Sequence, residues 1–327
     1  MNKYIVRSTS SADICIVGAG MVGMSVANQI LERFDSLSIV IIDKEADVGK
    51  HGSGRNSGVL HAGLYYQPES LKAKVCVAGA KRLKQWCYSN EISVMECGKV
   101  VTPQKPELDG QLEVLLDRGR SNGATVEIID EQQFNELVPG GRTSTGRAIW
   151  SEDTCIVKPT EVVQKLKQEL QKRGVNFLFF EKDWQVEAGH KTIIFNDNSR
   201  LTYDHLINCA GLQADKVAQK FNVGNFYTML PFKGSYWQFK KDAPFKFTTN
   251  LYPVPDLEIP FLGEIPLIQS VREAGDYGRP ASMQENTFSE ITFNNISKNM
   301  LSELLIRNKE LPETEIIKIT TMSGCSN

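Results

Sequence analysis

Histidine is scarce in this chain: four residues in 327, at 51, 61, 190 and 205. Chemistry that needs a group titrating near neutrality has few places to sit. The net charge is −2 and no long basic run occurs, so nucleic acid is not an expected partner. No run of about 18 apolar residues exists, so no transmembrane segment is expected. The seven cysteines, at 15, 76, 87, 97, 155, 209 and 325, never form Cys-x-x-Cys. That spacing argues against a zinc site, so no metal is expected, and it points to reduced thiols in a cytosol-like compartment. A cytoplasmic location is expected, with peripheral membrane contact as a variant and the mitochondrial matrix ranked behind both. The opening MNKYIVRSTSS lacks an apolar core of signal-peptide length and reads as a short leader.

What is present is an ordinary globular composition, 41% hydrophobic and 23% charged, on a chain longer than one usual domain. ADICIVGAGMVGMSVANQILERF reads as strand, tight turn and helix. Ile14 to Val17 form a continuous apolar run, as in a strand buried on both faces. Gly18, Gly20 and Gly23 follow as Gly-x-Gly-x-x-Gly, then Ala27, Ile30, Leu31 and Phe34 at helical spacing. A second buried strand, SLSIVIIDKE, reaches Asp43 twenty residues after Gly23. Gly18 permits the turn, Gly20 lets backbone approach a pyrophosphate, and Gly23 lets helix pack close to strand. The helix N-terminus offers free N–H groups and partial positive charge to phosphate, and Asp43 is placed to accept from a ribose diol. Dinucleotide binding follows. The motif does not separate NAD from FAD, but the next segment does. A long polar loop, HGSGRNSGVLHAGLYY at 51–66, stands where a simple NAD domain has a prompt crossover helix.

These residues together resemble the D-amino-acid-oxidase-like FAD-dependent oxidoreductases, and within them the L-2-hydroxyglutarate dehydrogenases or oxidases. The resemblance implies that FAD is held by Gly18, Gly20, Gly23, Asp43, Lys44, Ser53, Gly54, Arg55, Asn56, Ser57 and Gly58. It also implies that His61 and the following tyrosines, Tyr65 first, face the substrate side of the flavin. INCAG resembles the family's short strand ending in Ala-Gly, which puts Ala210 and Gly211 beside the cofactor. LPFKGSYWQF and LYPVPDLEIPFLG resemble the sheet roofing the flavin, where Lys233 and Tyr252 are substrate-binding candidates alongside Arg55.

Between these landmarks, 71–89 reads as an amphipathic helix with Leu71, Val75, Gly79, Leu83 and Trp86 on one face. GKVVTPQ reads as a strand, and helices are expected near 106–123 and 130–138. Thr160 is expected to cap a helix carrying Val163, Leu166 and Leu170, with Gly174 ending it. A strand VNFLFF and a hairpin leading into INCAG follow. The expected fold class is α/β with an α+β second domain: a Rossmann-like FAD-binding domain interleaved with a mixed-sheet substrate domain. The segments are 1–90 and 151–225 for FAD, 91–150 and 226–263 for substrate, and 264–327 as a divergent tail.

The implied reaction oxidises a small-molecule 2-hydroxy acid, L-2-hydroxyglutarate, to 2-oxoglutarate. Hydride goes to flavin and the hydroxyl proton to a base. Among four histidines, His61 is the preferred base. A substrate with two carboxylates also needs cations, for which Arg55 and Lys233 are candidates. Oxygen, a quinone and a flavoprotein all remain compatible electron acceptors. After Gly263 the family's glycine-rich return segment is not recognisable, although ISKNMLSELLIRNK at 296–309 reads as a helix. Three readings of that departure stand open: a working enzyme with a shortened roof, a truncated or non-catalytic form, and a chain completed by a partner chain. An amino-acid or glycerol-3-phosphate oxidoreductase is the alternative enzyme.

Overall fold

The computed structural model describes residues 10–187, 189, 191–225, 227, 229 and 248–255. Contacts part the chain at 254/255, and every element below lies in the unit Met1–Val254. Lys233, His190, the LPFKGSYWQF stretch and the helix expected at 296–309 lie outside the described residues.

The chain opens with β1 (Ser11–Val17), α1 (Met21–Arg33) and β2 (Ile39–Ile42), then β3 (Val59–Leu60) and the long α2 (Leu71–Ser89). Next come β4 (Val94–Met95), β5 (Lys99–Thr102), α3 (Gly110–Ser121), β6 (Val126–Asp130) and α4 (Glu131–Leu137). β7 (Arg147–Ser151) and β8 (Cys155–Val157) precede α5 (Pro159–Lys172). β9 (Asn176–Leu178), β10 (Trp184–Glu187), β11 (Thr192–Phe195), β12 (Arg200–Asn208), α6 (Ala214–Gln219) and β13 (Asn250–Pro253) complete the described elements.

The first sheet has the order β10-β11-β12-β1-β2-β9. β12, β1, β2 and β9 run parallel, and the β10–β11–β12 meander adds antiparallel strands at one edge. The apolar runs of β1 and β2 alternate between two cores. Ile14, Ile16, Ile39 and Ile41 pack with Met24, Ala27 and Leu31 of α1 and with Val163, Leu166 and Leu170 of α5. Cys15, Val17, Val40 and Ile42 face the other way, with Trp184, Phe195, Leu201 and Val217. A parallel sheet buried on both faces requires this continuous hydrophobic run. Leu170 is fully buried, so cutting it back to alanine costs about 2–5 kcal/mol.

The second sheet, β13-β5-β7-β6, draws strands from widely separated parts of the chain. β5, β7 and β6 are antiparallel, and β13 joins β5 in parallel. One face buries Val101 and Ile149 under Leu112, Leu115 and Leu116 of α3, and the other buries Val100 and Ala148 under Phe134 of α4. A small antiparallel sheet, β3-β8-β4, links the 51–66 loop to the strand entering α5. The architecture is thus the expected Rossmann-like α/β sheet with an interleaved mixed sheet.

Two local expectations are corrected. The first half of α2 turns a different face inward: Leu71 and Val75 are 69% and 60% exposed, Gly79 is exposed and Ala73 is buried, while Leu83 and Trp86 of the expected face do pack on the core. Small side chains let the helix lie against 61–63, where Cys76 Sγ donates to the His61 carbonyl at 3.5 Å. α5 is not capped by Thr160. Lys158 is its N-cap and Pro159 takes the first helical position, where a missing N–H leaves no intrahelical bond unmade. Gly174 does follow the helix, with φ +85°.

Candidate active site

The first cluster forms where β1 turns into α1. Gly18 has φ +113°, and a Cβ there would stand 2.3 Å from the Cys209 carbonyl oxygen. A Cβ on Gly23 would stand 2.1 Å from the Gly18 oxygen, so helix and turn pack backbone to backbone. The parallel register Val17↔Asn208 carries Cys209, Ala210 and Gly211 to the edge of this turn. Gly20 is the N-cap of α1 and supplies no side-chain cap, and the first turn holds no acid. The Met21 N–H donates to Ser53 Oγ at 2.8 Å, so the 51–66 loop is pinned to the helix N-terminus. Asp43 accepts from the Ala19 N–H at 2.7 Å through one oxygen and from the Glu45 N–H at 2.9 Å through the other. An acid-free helix start whose N-cap has no side chain, beside a glycine turn, suits a phosphate or diphosphate.

The loop itself is braced internally. Asn56 donates to the Gly52 and Ser53 carbonyls at 3.0 and 3.1 Å and accepts from the Gly58 N–H at 2.9 Å. Its amide therefore shapes the loop. Gly58 meets β8, where the Val157 N–H donates to its carbonyl at 3.0 Å. Arg55 and Ser57 are exposed, and Gly54 is half-buried. The Lys44 ammonium pairs with Glu45 at 2.5 Å, and His51 lies 2.9 Å from the same carboxylate. Those two partners hold the Glu45 carboxyl down at about 2.

Past β3 the chain reaches the second cluster. His61 and Tyr252 rings meet edge to face with centroids 6.3 Å apart. Tyr65 packs on the core shared by α3 and the second sheet, as does Tyr252. Asn122, the residue closing α3, donates to the Gly63 and Tyr66 carbonyls at 2.9 and 3.0 Å and so fixes the turn that presents Tyr65. Lys99 opens β5, opposite Asn250 of β13. Its strand is held by Asn250, whose amide donates to the Gly98 carbonyl at 2.9 Å. Alternation along β5 puts Lys99 on the face of Val101, and Val101 sits opposite Tyr252. The Lys99 ammonium lies 4.6 Å from the Tyr65 ring centroid and 5.5 Å from that of Tyr252.

Buried polar atoms here lack partners: His61 Nδ1, the Tyr65 hydroxyl and Lys99 Nζ. Burial, with the Lys99 charge, lowers the His61 pKa below the usual histidine value, so the imidazole is neutral near pH 7. Burial pushes the Tyr65 hydroxyl pKa up and pulls the Lys99 ammonium down to about 8. This is a proton acceptor, a hydroxyl donor and a cation around one spot, which suits an anionic substrate that must lose a proton.

A family model described as "FAD dependent oxidoreductase" matches residues 13–283. The chain belongs to that family. The match runs past Gly263 into the tail. Within the family, the chain is similar to the mitochondrial L-2-hydroxyglutarate dehydrogenase of Homo sapiens, 34% identical over 270 residues, 78% of this chain and 58% of that protein. It is also similar to the L-2-hydroxyglutarate dehydrogenase of Indibacter alkaliphilus, 36% identical over 255 residues, covering 76% and 63% respectively. The chain thus spans about three-fifths of the length of these curated relatives. Solved structures share the fold. L-alpha-glycerophosphate oxidase from Mycoplasma pneumoniae with FAD bound aligns with TM-score 0.55 at 20% identity, over 64% of this chain and 56% of that one. Glycine oxidase from Geobacillus kaustophilus aligns with TM-score 0.55 at 16% identity, over 65% and 59%.

The residues expected at the site thus fall into two groups. Gly18, Gly20, Gly23, Asp43, Ser53, Ala210 and Gly211 gather at the α1 N-terminus, while His61, Tyr65 and Tyr252 gather under the second sheet. Arg55 joins neither group through any described side-chain contact. Lys99 and Asn122 belong to the second cluster although sequence reasoning passed over both. For Lys99 a signal existed: a lysine inside the otherwise apolar strand KVVT.

Proposed function

We propose that this chain binds FAD and oxidises a 2-hydroxy acid, L-2-hydroxyglutarate, to 2-oxoglutarate. The α1 N-terminus, Gly18, Gly20 and Ser53 suit the diphosphate, and Asp43 suits the ribose. Residues 53–58 would carry the loop along the cofactor, with Lys44, Ala210 and Gly211 at its flanks. When bound, FAD supplies the acceptor for the hydride that leaves the substrate Cα. His61 takes the hydroxyl proton as the C=O bond forms, and Tyr65 and Tyr252 wall the substrate in.

The observation that carries this reading is His61. It is neutral, has an unpartnered buried nitrogen, and ends the same loop that starts on the α1 N-terminus. The similarity to two L-2-hydroxyglutarate dehydrogenases supports the choice of substrate over an amine or glycerol 3-phosphate. Six free cysteines among the described residues support a reducing compartment such as the cytosol. Among the described residues no helix is long and apolar enough to cross a membrane. The test is to purify the chain, record its flavin spectrum and add L-2-hydroxyglutarate without oxygen. Bleaching of a yellow protein supports the reading. A yellow protein that stays yellow removes this substrate, and a colourless protein removes FAD binding by this chain alone. Readmitting oxygen, a quinone or an electron-transferring flavoprotein to the bleached sample then identifies the acceptor.

A further inference from the structure

Lys99 is fully buried, the only lysine or arginine among the described residues that is. Among the described residues its ammonium has no hydrogen-bond partner, and no carboxylate acts on it. The groups facing it are the Tyr65 and Tyr252 rings, Cys76 and His61, none of them an anion at neutral pH. Buried lysines are rare unless paired, because an isolated ammonium in an apolar setting loses its hydration. Among the described residues the protein supplies two aromatic faces and no anion. Two further orphaned polar atoms, His61 Nδ1 and the Tyr65 hydroxyl, belong to the same cluster. The missing partner of Lys99 is therefore an anion that comes with the ligand.

We infer that Lys99 binds the carboxylate that a dicarboxylic hydroxy acid has and a monocarboxylic one lacks, and so sets the substrate class of this site. The inference rests on the 2-hydroxy-acid reading. It gives Lys99 the cation role expected of Arg55: Arg55 is exposed, and Lys99 faces the Tyr252 ring that His61 also meets. The Tyr65 ring lies against the Lys99 ammonium, and its unpartnered hydroxyl is a further donor in the same cluster. Lys99 breaks and makes no covalent bond. It is a specificity residue, and His61 remains the base.

The test uses binding, so it does not depend on turnover. Glutarate and butyrate differ by one terminal carboxylate, and neither carries a hydroxyl to oxidise. Both are titrated calorimetrically into the full chain loaded with FAD, as wild type, K99M and K99R. Wild type should prefer glutarate at least about tenfold. K99M should lose about thirtyfold in glutarate affinity, the worth of a charge-assisted hydrogen bond, with butyrate little changed. K99R, which keeps the charge, should retain most of the preference. Equal affinities in the wild type, or undiminished glutarate binding in K99M, would overturn the inference. If K99M fails to hold FAD, a pH series on the wild type decides. Between pH 7 and 9, glutarate binding should weaken as Lys99 loses its proton, while butyrate binding stays flat. His61 titrates below this window, and burial raises Tyr65 and Cys76 above their ordinary values. A flat glutarate curve would refute the role. Failure of L-2-hydroxyglutarate to bleach the flavin, with Lys99-dependent glutarate binding intact, removes the substrate and leaves the anion site.

Discussion

Replacing Lys99 with methionine should make the protein more stable. The side chain is fully buried and its pKa falls from 10.5 to about 8. A shift of that size means the folded state disfavours the charged form by roughly 3 kcal/mol at pH 7. The two tyrosine rings return some of this, on the order of 1 kcal/mol in total at these distances. Methionine has a similar length, fills the same slot and carries no charge. The net expectation is a gain of about 1–2 kcal/mol, or about 2–8 °C in melting temperature for a unit of this size. FAD must be absent from both samples, because a bound ligand adds its own stabilisation.

The pH dependence tests the cause. Lys99 has its lower pKa in the folded state, so between about pH 8 and 10.5 the unfolded chain binds more protons. Wild-type stability therefore gains from this group as pH rises through that window, and K99M does not share the gain. The advantage of K99M should be full near pH 7 and shrink toward pH 10. Urea unfolding of the two apo-proteins at pH 7, 8.5 and 9.5 measures it. A K99M protein less stable at pH 7, or an advantage independent of pH, would show that the fold already compensates the ammonium and would refute the argument.

Three further variants and one pH profile probe the rest of the site. H61A should retain FAD and slow flavin reduction by about 100-fold or more, and unchanged reduction kinetics would exclude the base. In the wild type, kcat/KM should rise with pH through a step below 6.5, because only neutral His61 accepts a proton and its pKa is lowered. G23A puts a methyl group 2.1 Å from the Gly18 oxygen, so it should cost several kcal/mol and abolish FAD retention, read from flavin content and thermal unfolding. N122A frees the Gly63 and Tyr66 carbonyls and should reduce turnover about tenfold through a looser Tyr65, while FAD content stays constant. Equal turnover would show that the turn holds its shape without Asn122.

The glycine motif was legible because its cause is local. A turn at Gly18 and a close helix at Gly23 are written in residues a few positions apart, and a Cβ on Gly23 would meet the Gly18 carbonyl, although one on Gly18 would meet the distant Cys209. The two buried strands were legible for the same reason, since an apolar run bounded by turn residues can hardly face water. The inward face of the first half of α2 was not. Counting apolar residues favours Leu71 and Val75, but the space against 61–63 admits small side chains, so Ala73 is buried and Cys76 half-buried there. The start of α5 turned on proline chemistry, which outranked a threonine cap one position later. Lys99 was hidden for a topological reason. Which face of β5 is buried depends on pairing with β7 and with β13, and the β13 partner Asn250 lies far along the chain. Until that pairing exists, a lysine in a short strand reads as a solvated edge.

The second cluster reads as a binding site on energetic grounds. Three buried polar groups without partners, one of them a cation, each cost about 1–3 kcal/mol or more. A domain's whole stability is about 5–15 kcal/mol, so the sum is a large fraction of it. Packing alone gives no return for that loss, since methionine and phenylalanine at 99 and 65 would fill the same volumes. A ligand returns it at once if it brings a carboxylate to Lys99 and the Tyr65 hydroxyl and a hydroxyl to His61. A hydroxy acid with a second carboxylate satisfies all three positions. A simple amine leaves the cation unpaired, and a monocarboxylic acid brings a single carboxylate where the proposed reading uses two. If Lys99 has the proposed role, the same unsatisfied groups should rank ligands in the order dicarboxylate, then monocarboxylate, then amine.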